Sequence, residues 1–204
     1  VVGVLDATYN GIAAVYNTGT IEAAGLEAAF GVLDTTKYTG GTVYVNNSGV
    51  IDATALGYAT GVFAYVNAAD ASATVVNSGT VNAYGYFDYA YGIEGRVYGD
   101  GSTLDISNSG VVTATSHYFD AVGIEGTVGQ DATTLTIDNS GTVTVVAYDH
   151  AYGIQANGNG LGDTTVSNSG SISVTSQYLY ATGVYAFSLS QDVYVDNSGV
   201  IDSH

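Results

Sequence analysis

Two glutamates stand in one context, Gly-Ile-Glu-Gly, at Glu94 and Glu125, with Gln155 in a third copy of it and Arg96 two residues beyond Glu94. If one copy is one turn of a parallel coil, the carboxylates lie about 4.8 Å apart, close to the ~5 Å separation of a retaining glycosidase pair. That is the best case for an enzyme in this chain. Against it, a repeat places such residues together without selection for chemistry, and one arginine is little with which to shape an anionic site. A like-charge pair relieved by Arg96 or by a cation is the preferred reading, and no catalytic residue is expected.

Other groups repeat with the same interval. Asp70, Asp100, Asp131, Asp163 and Asp192 recur once per copy beside Gly and Ser, an edge that can offer carboxylate and backbone oxygens to Ca²⁺. The calcium nonapeptide pattern is missing and loop lengths vary, so solvated charge that discourages aggregation is the stronger reading, with no cofactor required. Aromatics crowd another position: Phe87, Tyr118, Tyr148 and Tyr178 share one place, and Tyr58, Tyr89 and Tyr180 share the next with Asp120 and His150. Stacked rings stabilise adjacent coils, and an exposed strip of them can also recognise sugars or a partner rod. His117, His150 and His204 have no metal-ligand spacing, and no Ser has an evident His/Asp partnership.

The elements that carry these residues follow from the repeat. The triplet Asn-Ser/Thr-Gly ends at Gly19, Gly49, Gly79, Gly110, Gly141, Gly170 and Gly199, at intervals of 30, 30, 31, 31, 29 and 29 residues. A second marker, Gly followed by Val or Ile, falls once per interval at Gly3, Gly31, Gly61, Gly92, Gly123, Gly153 and Gly183. Between the markers the alternation is period two, as in Thr42-Val43-Tyr44-Val45-Asn46-Asn47, which reads as strand. Val43 with Val45, Leu104 with Ile106, Leu135 with Ile137 and Val193 with Val195 are predicted to stack inward. Ile21, Ile51, Val81, Val112, Val143, Ile172 and Ile201 form a second inward row, and Ala59, Ala90 and Ala121 with Val62, Ile93 and Ile124 a third.

Three short strands and three corners per interval predict an all-β parallel β-solenoid, one domain over residues 1–204, of about seven coils of roughly 30 residues. At one strand spacing per coil the rod is about 34 Å long. Each coil needs neighbours to bury its apolar face, so stability belongs to the stack. In the triplet, glycine is expected to supply a positive φ, while Asn17, Asn47, Asn77, Asn108, Asn139, Asn168 and Asn197 form a structural ladder of stacked amides.

The order Asn-Ser-Gly-Thr/Val-Val/Ile, then Ala-x-Gly-Val/Ile about twelve residues later, then Thr-Val/Leu-x-Val/Ile, resembles the repeats of autotransporter passenger domains and related adhesin-like β-helix proteins of bacterial surfaces. The resemblance covers essentially the whole chain. It implies secretion through the outer membrane, a β-helical stalk, and roles in adhesion, aggregation or biofilm, and no catalytic motif comes with it.

Composition narrows the partners. Two basic residues against 19 acidic ones, a net charge of −17, repel nucleic acid and anionic membrane surfaces. No apolar run is long enough to span a bilayer, and the missing initiator Met suggests a processed or excised segment. Zero Cys removes thiol chemistry and is compatible with export. No capping segment is evident at either end, so the open coils are expected to meet other coils, in a longer parent chain or head to tail with another copy. The expectation is an extracellular or cell-surface structural protein, a filament subunit or adhesin stalk. Its partners are then itself, head-to-tail or lateral, and host or matrix glycans, without nucleic acid or membrane insertion. The alternative is a carbohydrate-binding or carbohydrate-cleaving β-helix.

Overall fold

Strict alternation of side chains gives each segment one apolar and one polar face, and a chain of such segments can bury the apolar faces by winding around them. The computed structural model describes residues 1–8, 11–37, 39–130 and 133–204. In it the strands form three parallel seven-stranded sheets, each taking one strand from every coil. Sheet A holds the strands that run through the second glycine marker, such as Tyr58–Asn67, Ala90–Tyr98 and Ala121–Gln130. Sheet B holds those ending at the triplet asparagine, such as Thr103–Asn108 and Thr134–Asn139. Sheet C holds those that follow it, such as Val111–Ser116 and Thr142–Ala147. The fold is a parallel β-solenoid of about seven coils with three strands per coil.

Register is kept residue for residue: Glu94 pairs with Glu125, Asn108 with Asn139, and Val112 with Val143. A slip of one position would turn every inward side chain to solvent, so the continuous apolar columns enforce this pairing. Ile51, Val81, Val112, Val143 and Ile172 are fully buried, as are Leu104, Leu135, Ile93, Ile124 and Ile154. Each contributes roughly 1.5–3 kcal/mol by leaving water. Volumes are matched across the lumen. A Cβ on Gly95 would press on Leu104 and Ile106, and one on Gly126 on Leu135 and Ile137, so large inward residues of sheet B face glycines in sheet A. At the last coil the same columns are uncovered, leaving Val193, Val195 and Ile201 exposed.

The three strands of a coil differ in length, and sheet A strands reach ten residues because pairing continues past the second glycine until the aspartate corner. One expectation needs correction. The triplet glycines do not adopt positive φ. Among the described residues that conformation occurs at Gly11, Gly40, Gly99, Gly101 and Asp70, all in the turn from sheet A to sheet B where the aspartate corner lies. Glycine is required in the triplet for a different reason. A Cβ on Gly49 would collide with the Gly19 carbonyl, and one on Gly141 with that of Gly110, because successive coils stack backbone on backbone at this corner.

One end of the rod answers part of its own edge. Ala14 N–H in the first coil donates to Asp6 Oδ2 at 2.9 Å, so a side chain stands where a preceding strand would pair.

Candidate functional site

The Asn corner is built from identical parts. Asn47 is 1% exposed, and its Nδ2 donates to Asn77 Oδ1 at 2.8 Å, Asn77 to Asn108 at 2.8 Å, Asn108 to Asn139 at 2.8 Å and Asn139 to Asn168 at 2.7 Å. Asn17 and Asn197 end the column, with bonds of 2.8 Å to Asn47 and 2.7 Å from Asn168. The same amides bridge their own turn: Gly49 N–H donates to Asn47 Oδ1 at 3.2 Å. Every amide is used within the column, so its chemistry is turned inward. Outside it runs a shallow groove of about 350 Å³, lined by Ser107, Asp138, Ser167 and Asp196 on one side and Ser109, Ser140, Ser169 and Ser198 on the other. Sequence reading passed over this hydroxyl-and-carboxylate strip, although its residues directly flank the conspicuous asparagines.

The aromatic corner stacks along the rod. Ring centroids of Phe87 and Tyr118 are 5.7 Å apart at 12°, Tyr118 and Tyr148 6.3 Å apart, and Tyr148 and Tyr178 5.8 Å apart at 8°. Near-parallel stacking occupies the ring faces and presents edges and hydroxyls outward. Exposure is nonetheless high, 56% at Phe87 and 70% at Tyr178, with Tyr89 and Tyr180 also exposed. In the neighbouring column His150 Nδ1 lies 3.0 Å from Asp120 Oδ1, which also accepts the His150 N–H at 2.9 Å, and the imidazole stacks on Tyr180. No serine hydroxyl hydrogen-bonds this His–Asp pair among the described residues, so it has the orienting half of a nucleophile-activating array and not the nucleophile.

Tyr58 departs from that exposed set and leads to the most elaborate polar cluster. Inward Gly95 and Val97 put Glu94 and Arg96 on the outer face of sheet A, as the alternation predicts. Outward does not mean solvated here. Glu94 is 1% and Glu125 7% exposed. The reason is a roof of long side chains contributed by neighbouring coils. Tyr58 hydroxyl donates to Glu94 Oε2 at 2.5 Å, and Thr60 Oγ1 to the same oxygen at 3.4 Å. Arg96 Nε lies 2.7 Å from Glu94 Oε1, close as an ion pair but off the line of a good hydrogen bond, and its Nη2 is 3.9 Å from Glu125 Oε1. Thr127 Oγ1 donates to Glu125 Oε1 at 2.9 Å.

Burial pushes the Glu94 carboxyl up to about 7, against the Tyr58 hydrogen bond and the Arg96 charge, with Glu125 adding to the rise. Burial likewise raises Glu125 against Arg96 and Thr127. The Tyr58 and Tyr91 phenols are raised by burial first and then by the adjacent carboxylates. For Arg96, burial works downward, yet Glu94 and Glu125 outweigh it and hold the guanidinium charged. Such a cluster can store a proton near neutral pH. As folded, its oxygens are turned to Tyr58, Thr60, Thr127 and Arg96, and no open cleft leads to Glu94.

The aspartate corner is formed as expected, with Asp70 N–H donating to the Asp100 carbonyl at 2.9 Å and Thr164 N–H to that of Asp192 at 3.1 Å. Asp163 lies on it as well, while Asp131 is outside the described residues. Among the described residues no three His, Cys, Asp or Glu side chains converge as a metal cluster. No helix is long and apolar enough to cross a membrane. One acidic position escaped the sequence reading altogether. Asp34 points into the lumen, where the equivalent residue of the next coil is Ala64 and of the one after Gly95. Compared with known proteins, the chain matches no family model, no curated protein and no solved structure.

Proposed function

We propose that the chain is a structural rod of the extracellular space or bacterial surface, a filament subunit or adhesin stalk whose coils continue end to end. The observation that carries this reading is the unbroken stack: three parallel sheets each take one strand from every coil in constant register, and a buried asparagine column runs from Asn47 to Asn168. Stiffness follows from the three continuous sheets and the Asn column, and the charge of −17 keeps such rods from collapsing on one another. Export and a role in attachment, aggregation or biofilm are carried by the resemblance to autotransporter-type repeats.

Electron microscopy of native material tests it. Rods far longer than seven coils, with a repeat near 4.8 Å along the axis, are expected. Discrete short particles would overturn the reading.

A second reading is favoured by the exposed ends of the aromatic column, Tyr178 and Tyr180: recognition of host or matrix glycans. Retention on a glycan array that is lost in Tyr178→Ala and Tyr180→Ala would support it, and unchanged retention would remove it.

A further inference from the structure

Between its corners the lumen holds few polar side chains: Thr164 alone in the sixth coil, and a group near the first two coils. There Asp6 pairs with Asp34 and Thr8 with Thr36 in adjacent strands of sheet A, all on the inward face. Asp34 and Thr36 are both fully buried, and neither Asp34 oxygen nor Thr36 Oγ1 has a hydrogen-bond partner of good geometry, the Thr35 and Tyr44 backbone N–H groups lying near enough to favour the Asp34 carboxylate without a well-formed bond. The opposite wall is Val43 and Val45, and the next coil below contributes Ala64 and Val66. No counter-charge comes from the chain. Arg96 is committed to Glu94, Lys37 is exposed, and the terminal ammonium donates to the Ala28 carbonyl.

Three buried oxygens without a well-formed hydrogen bond, two of them on a carboxylate, are a costly arrangement for a lumen that could hold Ala and Val at the same places, as the next coil does. A hard cation resolves it. Carboxylate oxygens on strands about 4.8 Å apart match two Ca–O bonds of about 2.4 Å each laid across the gap. Asp6 retains one oxygen for this purpose, since its Oδ2 takes the Ala14 N–H.

We propose that the inward carboxylates of Asp6 and Asp34, with the Thr36 hydroxyl, bind a Ca²⁺ ion inside the first coils of the solenoid. Water held beside these side chains completes the oxygen shell. Calcium is favoured over magnesium, which dehydrates reluctantly and demands a tighter octahedron than two strands in fixed register provide. The site is separate from the aspartate corner, and it stands whether or not the rod polymerises.

Thermal unfolding of the purified chain at pH 8, stripped with EDTA and then titrated with CaCl₂ or MgCl₂, tests it. Saturating calcium should raise Tm by about 5 °C, with magnesium doing clearly less. The rise should vanish in Asp34→Asn, shrink in Thr36→Val, and persist in Asp163→Asn, which alters an exposed carboxylate of the aspartate corner. No calcium-dependent rise, or the same rise in Asp34→Asn, overturns the site, the latter by showing that the ion only screens the acidic surface. Stabilisation by acid with no response to calcium would assign the place to a shared proton instead.

Discussion

Glu94 and Asp34 are the two most deeply buried carboxylates of the described chain, and their surroundings are opposites. Glu94 lies on the outer face of sheet A beneath a roof from other coils, with Tyr58, Thr60 and Arg96 around it. Asp34 lies on the inner face among Val and Ala, with the neighbouring Asp6 charge adding to its cost. Desolvation is the largest influence on both and raises each to about 7. The lesson is that burial alone does not tell a structural charge from a binding one. What separates them is whether side chains answer the oxygens: Tyr58, Thr60 and Arg96 do so at Glu94, while only the backbone N–H groups of Thr35 and Tyr44 lie by Asp34.

Acidity gives the largest handle on that comparison. Both folded-state values lie above the ordinary ones, 4.5 for Glu94 and 3.8 for Asp34, so the native chain binds more protons than the unfolded chain between those values and about 7. Stability therefore rises as pH falls from 8 towards 4.5, by on the order of 3 kcal/mol for each group. Chemical denaturation of the calcium-free chain across that range should show the trend. A flat profile would mean that neither carboxylate is buried as described.

Asn108→Ala reproduces in an inner coil the unanswered state that Asp34 has naturally, since Asn77 Nδ2 loses its acceptor and Asn139 Oδ1 its donor. A loss of about 3 kcal/mol is expected by the same measurement. Arg96→Met strips the cation from Glu94 and Glu125. Breaking a buried pair costs about 3–5 kcal/mol, and with the guanidinium about a third exposed the expected loss is nearer 2 kcal/mol, recovered at low pH once the carboxylates are protonated. Tyr58→Phe removes one charge-assisted bond and should cost about 1.5 kcal/mol, with the Glu94 titration moving further upward by carboxyl NMR. Asp34→Ala installs the residue found in the next coil. Without calcium at pH 8 it should stabilise by about 1 kcal/mol, the one substitution in the series with that sign.

Much of the fold was legible because the signal is local. Alternation over six residues names the inward face of Thr42–Asn47 or Thr134–Asn139, and two glycine markers in constant phase name the coil. The Asn column was legible too, because one residue type recurs at one place. The Glu94 cluster was only half visible. Its carboxylates share a repeat position, but the Tyr58 that roofs Glu94 lies 36 residues away, at a place where the aligned Tyr89 and Tyr180 are exposed. Asp34 was missed because its segment, Val32-Leu33-Asp34-Thr35-Thr36, reads as a strand nearing its polar corner.

Sequence by itself therefore determined the period, the three strands and the inward columns, since each depends on side chains a few residues apart. Tertiary structure alone decided why the triplet glycines are needed, which outward carboxylates lose water, and that an aspartate faces the lumen without a side-chain partner. Those outcomes depend on what the neighbouring coil places within about 5 Å, and that distance spans some thirty residues of chain.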